Sequence, residues 1–161
     1  MSEQQSLINR ISSVDWASYA RPPENAADEL PATLIALCRN ALGKDRGYHR
    51  LLYAIGNNHR GTYYPILVPA LPIVTAIASL QQLPAGEIAL DALLDIYLSF
   101  YPEPGYEQIT DPSGDAHPVR VLVEEAFQKM RPILSELAGE ETDLATLAAE
   151  LAQEMDSRPG A

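Results

Sequence analysis

The sequence predicts an all-α protein, arranged as a short α-solenoid of antiparallel helical hairpins, with a compact helical bundle as the alternative. Apolar residues recur three and four positions apart through most of the chain, which is the spacing of one helix face. No segment shows the alternation of apolar and polar residues that marks a half-buried strand. Short breaks rich in glycine, proline and asparagine separate the apolar segments, as helical hairpins require.

Length and composition indicate a single domain over 1–161. The chain is 47% hydrophobic and 20% charged, which is enough apolar material for a core. The first 14 residues are polar and contain no apolar signal sequence, and the longest apolar stretch is interrupted by prolines. We therefore expect a cytoplasmic protein without a membrane span. Its predicted parts are a leading segment (1–23), helical hairpins (24–100), an acidic loop (101–118) and C-terminal helices (119–156).

Each helix is predicted from its own apolar stripe and from the break that ends it. A short leading helix over 5–13 stops near Trp16, which is expected to pack against the first hairpin. Gly43 and Gly139 mark later helix ends, because glycine is common just after a helix. Residues 157–161 are expected to form a frayed tail. The main helices are predicted at 24–42, 45–55, 64–80, 87–100, 119–137 and 143–155.

These helices are expected to stack in pairs. Helix 45–55 would pair with 64–80, and 87–100 with 119–137, while the first and last main helices would cap the stack. Pro65, Pro69 and Pro72 lie at i, i+4 and i+7 and would share one face of helix 64–80. Because a proline inside a helix removes a hydrogen bond, we expect this buried helix to be bent.

Charge is distributed unevenly along the chain. Residues 1–80 contain six acidic and seven basic residues, whereas residues 81–161 contain 16 acidic and only four basic residues. Such a field disfavours binding to nucleic acid or to an anionic membrane, and it attracts a basic partner. The alternative is that the acids form a solvated surface that maintains solubility.

The chemistry-bearing residues favour a binding protein over an enzyme. Cys38 is the only cysteine, which excludes an internal disulfide, and its apolar neighbours indicate a buried structural thiol. The sequence contains no phosphate-binding loop and no nucleophile elbow. Asp91 and Asp95 share a helix face, where a solvated surface is the simpler interpretation. We predict no catalytic residue, no metal and no cofactor, because the histidines have no compact ligand spacing: His49, His59 and His117.

Several segments together resemble one protein family. They are Trp16, the run ENAADELP (24–31), the helix YHRLLYAI (48–55), the turn NHRGTYY (58–64) and the run VPALPIV (68–74). This combination resembles the HEAT-repeat-like immunity proteins of bacterial polymorphic toxin systems, including those paired with Rhs-type toxins. The resemblance implies a HEAT-like α-solenoid that binds and neutralises a cognate protein toxin by stoichiometric occlusion. Residues after Tyr101 have no counterpart in it.

Two regions are candidates for the partner-binding surface. Residues 57–60 are of types that are common in turns, but solenoids expose such turns along one edge, where they can contact a partner. The long segment 101–118 carries four acids without a base and contains tyrosines suited to an interface, although it could also be a solvated loop. The predicted contact residues are His59, Arg60 and Tyr63 in the first region, and Tyr101, Glu103, Tyr106, Glu107, Asp111 and Asp115 in the second.

Three functions remain open from the sequence. The first is an immunity protein whose acidic surface covers a basic cleft of its toxin. The second is a general HEAT-like scaffold or regulatory protein-binding module without a toxin. The third is a helical enzyme whose site is assembled from scattered residues.

Overall fold

A computed structural model describes residues 1–158, and the protein is mostly helical, as predicted. The last three residues of the predicted frayed tail lie outside the described residues. One 3₁₀ turn (Trp16–Ser18) follows the first helix. The helices are α1 (Glu3–Ser13), α2 (Glu29–Cys38), α3 (Lys44–Ile55), α4 (Leu67–Ser79), α5 (Ala85–Ser99), α6 (Val119–Ala138) and α7 (Ala145–Ser157).

Helix α2 is shorter than predicted at both ends. Residues 24–28 form turns, so the helix begins at Glu29 and not at 24. It ends before Asn40, whose φ of +54° is left-handed, and not at Gly43. The N–H of Asn40 donates to Leu37 O at 2.9 Å, and that of Ala41 donates to Ala36 O at 2.9 Å. This is a Schellman motif, which asparagine can form because it tolerates the left-handed region.

The three prolines before and within α4 do not share one helix face. The helix begins at Leu67, so Pro65 precedes it. Pro69 lies in the first turn, where its missing N–H has no intrahelical partner to lose. Only Pro72 removes a hydrogen bond from the helix interior, and its side chain is exposed.

The helices pack in pairs and in two rows. The packed pairs are α2 with α3, α4 with α5, and α6 with α7. Helices α2, α4 and α6 form one row in which neighbours contact each other, and α3, α5 and α7 form the other. The predicted pairs were therefore wrong by one helix. We expected α3 to pair with α4 and α5 with α6, whereas α3 pairs with α2 and α5 pairs with α4. Helix α1 covers α2 and α4 at one end.

Five short strands correct the prediction that the chain contains none. β1 (Gly56–Asn57) pairs antiparallel with β2 (Thr62–Tyr63), which pairs parallel with β3 (Tyr101–Pro102). β4 (Gln108–Thr110) and β5 (Ala116–Pro118) form an antiparallel hairpin. Strands of two or three residues are too short to show an alternating pattern, which is why the sequence did not reveal them.

The core runs through the whole stack and includes the residues predicted to be buried. Cys38 is fully buried, and burial raises its pKa to about 11. Trp16 is buried, and its indole N–H donates to Ile11 O at 2.8 Å. Among residues 1–158, none of the helices is both long enough and apolar enough to cross a bilayer.

Candidate functional site

The two predicted contact regions form a single unit, which we call the strand cluster (residues 56–63 and 101–118). Strand β3 lies beside β2, although about 40 residues separate them in sequence. The N–H of Tyr101 donates to Gly61 O at 3.0 Å, and that of Glu103 donates to Tyr63 O at 2.8 Å. The turn after α3 and the acidic segment after α5 are therefore parts of one surface.

Gly56 permits the close approach of β1 and β2. A Cβ atom at this position would lie 1.9 Å from the backbone oxygen of Thr62, a distance that no side chain tolerates. Its backbone is extended, so the requirement for glycine comes from space and not from an unusual φ. The strand pair thus depends on a residue without a side chain.

Glu103 holds the strand cluster together and is buried, with 7% of its surface exposed. Its Oε1 accepts from Arg60 Nη1 at 2.8 Å, and its Oε2 accepts from the Thr62 hydroxyl. A carboxylate enclosed in this way is not available to a partner, which corrects the prediction that Glu103 makes a surface contact. Arg60 keeps about half of its side chain exposed while it pairs with Glu103.

The tyrosines of the strand cluster have different environments. Tyr63 is 3% exposed, and burial raises its pKa, so it was wrongly predicted as a surface anchor. Tyr106 is half-buried, and its ring centroid lies 4.6 Å from that of buried Tyr64. Tyr101 is 49% exposed and is the tyrosine of the cluster that offers most area to solvent.

Asp111 organises the tip of the β4–β5 hairpin. Its Oδ1 accepts from the N–H groups of Ser113 and Asp115, both at 2.9 Å, and its Oδ2 lies 2.8 Å from His117 Nε2. The hydrogen bond with His117, followed by those from the backbone, lowers the pKa of Asp111. Gly114 takes a φ of +91° at the turn. The segment predicted as a loop is therefore an ordered hairpin.

The predicted contact residues that remain accessible lie on the outside of this unit. Glu107 and Asp115 are exposed, and so is His59. Glu107 also accepts from the N–H of Gly105 at 3.0 Å, which orders the turn before β4. The cluster thus presents ordered acidic side chains on a backbone held by cross-strand hydrogen bonds.

An open groove of about 860 Å³ lies on the other side of β3, between the end of α5 and helix α6. Its floor is apolar and includes Tyr97 and Phe127, whose rings meet edge to face at 5.1 Å. Its basic lining residues are Arg120, Lys129, Arg131 and Arg158. None of these four residues was predicted to belong to a site. The scarcity of basic residues after position 80 is the one sequence signal that sets them apart.

A second, smaller cleft of about 240 Å³ contains the aspartate pair on α5. Asp95 accepts from the Tyr48 hydroxyl, and Asp91 Oδ2 lies 3.9 Å from Lys44 Nζ. Burial raises the pKa of Asp91. These contacts join α5 to α3, so the pair is part of a helix interface and not of a freely solvated face. Within residues 1–158, no group of three or more metal-ligating side chains could hold an ion.

Comparison with protein-family models, with curated proteins and with solved structures finds no match to this chain. The resemblance to immunity proteins stays a prediction.

Proposed function

We propose that the protein is an immunity protein that neutralises a cognate toxin by binding it through the strand cluster. The observation that carries this proposal is that the hydrogen-bonded strand cluster carries two exposed acids, Glu107 and Asp115. The bound toxin would present a basic surface that is complementary to these acids. Protection would come from occlusion of the toxin and not from turnover.

The packing of the helices supports a HEAT-like α-solenoid as the architecture of this binding protein. Three helix pairs follow one another, and each helix of a row contacts the next helix of that row. In a solenoid, each repeat contacts only its neighbours, and the turns between helices lie along its edges. The strand cluster occupies two such turns, those after α3 and after α5. We infer that the edge carrying these turns faces the toxin.

The rigidity of the strand cluster also supports a role in binding. The carboxylates of Glu103 and Asp111 accept internal hydrogen bonds, which hold β3 and the hairpin in one conformation. A surface ordered before binding loses less conformational entropy when its partner arrives. Glu107 and Asp115 are then displayed at defined positions, where they can accelerate association with a basic partner.

The first test is protection of cells that express the toxin encoded by the adjacent reading frame. We expect growth to be restored, and the purified pair to form a complex in which toxin activity is abolished at equal molar amounts. Protection at a much lower ratio would indicate an enzyme and would contradict occlusion. Absence of protection and of binding would favour the general scaffold over the immunity protein.

A charge variant tests whether the strand cluster is the contact. The double variant Glu107→Gln and Asp115→Asn should slow association about threefold at low salt, and the difference should shrink as salt is added. The control, Glu140→Gln and Glu141→Gln, changes charge equally at exposed positions between α6 and α7. Equal association rates for the two double variants would exclude the strand cluster as the contact.

A further inference from the structure

The groove gathers all the basic residues of the acidic half of the chain. Residues 81–161 contain four Lys and Arg residues beside 16 Asp and Glu residues, and every one of the four lines this groove. Among the described residues, two acids, Glu124 and Glu125, line it with them. The lining therefore carries two more bases than acids, and Asp156 and Glu154 on α7 approach Arg131 and Arg158 from beside it.

The wall and floor of the groove offer apolar area that the fold leaves uncovered. Tyr101 is 49% exposed and Val121 is 45% exposed, and both line the groove. Beneath them lie the packed rings of Tyr97 and Phe127. Small-molecule sites combine such apolar surface with a few polar groups in cavities of about 300 to 1,000 Å³, a range that includes this groove.

The cations are only weakly engaged by the protein. Arg120 pairs with Glu124 one turn away at 3.1 Å, and Arg131 pairs with exposed Asp156. Arg158 donates to Leu98 O at 3.4 Å, and its Nε lies 4.0 Å from Glu154 Oε2. Exposed ion pairs contribute little to stability, so a ligand can replace them at small cost. Within residues 1–158, Lys129 forms no ion pair at all.

We propose that this groove binds an anionic amphiphile, a small molecule with an apolar chain and a single anionic head group. The head group lies beside Arg131 and Arg158, and the chain lies along α6 over Val121 and Phe127. From Arg120 to Arg131 the helix rises about 17 Å, which is long enough for an extended acyl chain. The groove shares Tyr101 and Pro102 with the strand cluster, but the exposed acids proposed to meet the toxin, Glu107 and Asp115, lie outside it.

The proposal is tested with three probes that share one alkyl chain and differ in head-group charge. Octanoate, octanol and octyltrimethylammonium are titrated separately into the isotopically labelled protein, and the backbone amide resonances are followed by NMR. We expect octanoate to shift the amides of α6 and β3 and to bind about tenfold more tightly than either other probe. Equal binding of all three, absence of binding, or shifts elsewhere would overturn the proposal.

Paired charge variants test the head-group position. The double variant Arg131→Gln and Arg158→Gln should weaken octanoate binding about fivefold, while octanol binding should not change. The control, Arg10→Gln and Arg46→Gln, removes the same charge at exposed positions on α1 and α3. An equal loss of affinity in both double variants would mean that net charge alone attracts the probe.

A second pair tests the apolar part of the site without disturbing the core. Val121→Ser removes a half-exposed side chain from the groove, and Leu83→Ser removes one of similar exposure outside it. Only Val121→Ser should weaken octanoate binding, by about threefold, with the thermal midpoints of both variants close to that of the native protein. Unchanged affinity in Val121→Ser would contradict the proposed position of the chain.

Discussion

The strand cluster and the groove share strand β3, yet they hold their charges in opposite ways. In the strand cluster, Glu103 accepts from Arg60 and Thr62, and Asp111 accepts from His117 and two backbone amides. In the groove, the cations form only exposed ion pairs or, for Lys129 within the described residues, none. A charge that accepts several hydrogen bonds from the protein maintains structure, whereas an exposed and weakly paired charge is free to meet a ligand.

Net charge by itself identifies neither the strand cluster nor the groove. The acidic half of the chain contains both an ordered acidic hairpin and the groove that collects its four bases. Several acids that the sequence suggests as contact residues instead order the backbone around them. The useful distinction is whether a charged group is already satisfied by the protein.

The largest effect is expected from closing the space between β1 and β2. Gly56→Ala would place Cβ 1.9 Å from Thr62 O, so the strands must separate. We expect the free energy of unfolding to fall by about 3 kcal/mol, measured by urea denaturation. Gly43→Ala is the control, since nothing lies within 4 Å of its Cβ position. If the two variants are equally stable, β1 does not pack on β2 as described.

A smaller effect is expected from Glu103→Ala, which removes the acceptor shared by Arg60 and Thr62. We expect a loss of about 2 kcal/mol, below the full cost of breaking a buried pair because the half-exposed Arg60 can return to water. Lys129→Gln, in the groove, should change the unfolding free energy by less than about 0.5 kcal/mol. Similar losses in both variants, measured by urea denaturation, would remove the contrast between the two regions.

The smallest effect concerns pH and the hairpin tip. Because the folded state lowers the pKa of Asp111, its carboxylate stabilises the hairpin fully above the ordinary pKa of about 4 and loses this contribution as pH falls through the lower folded value. The amide resonances of Ser113 and Asp115, followed by NMR from pH 7 to 2, should therefore shift with a midpoint below the ordinary aspartate value of 3.8. A midpoint at or above that value would show that Asp111 is not held by His117 and the backbone.

Much of the helical framework was predictable because its signal is local. The spacing of apolar residues placed α3, α5, α6 and α7 close to their observed bounds, and it correctly indicated that Cys38 is buried. The start of α2 and the proline-rich start of α4 were less accurate. At those points, turn and proline chemistry compete with the apolar pattern, so each helix begins later than the pattern alone suggests.

The candidate sites were only partly predictable. The turn at His59 and the segment after Tyr101 were both singled out from their composition, but as alternatives. Their union in one sheet depends on β2 and β3, which are too short to carry a periodic signal. The burial of Glu103 was not predictable either, because its partner Arg60 lies 43 positions away in the sequence.

The sequence by itself determined the mostly helical class, the apolar core and the excess of acids after position 80, because these follow from composition and from periodicities of a few residues. Tertiary structure alone decided which helices pair, which acids are enclosed, and that four bases spread over 39 positions face one groove. The groove depends on how α5, α6 and α7 pack against one another, and the enclosure of Glu103 depends on the pairing of β2 with β3. Contacts between distant residues are set by that packing and leave no local pattern in the chain.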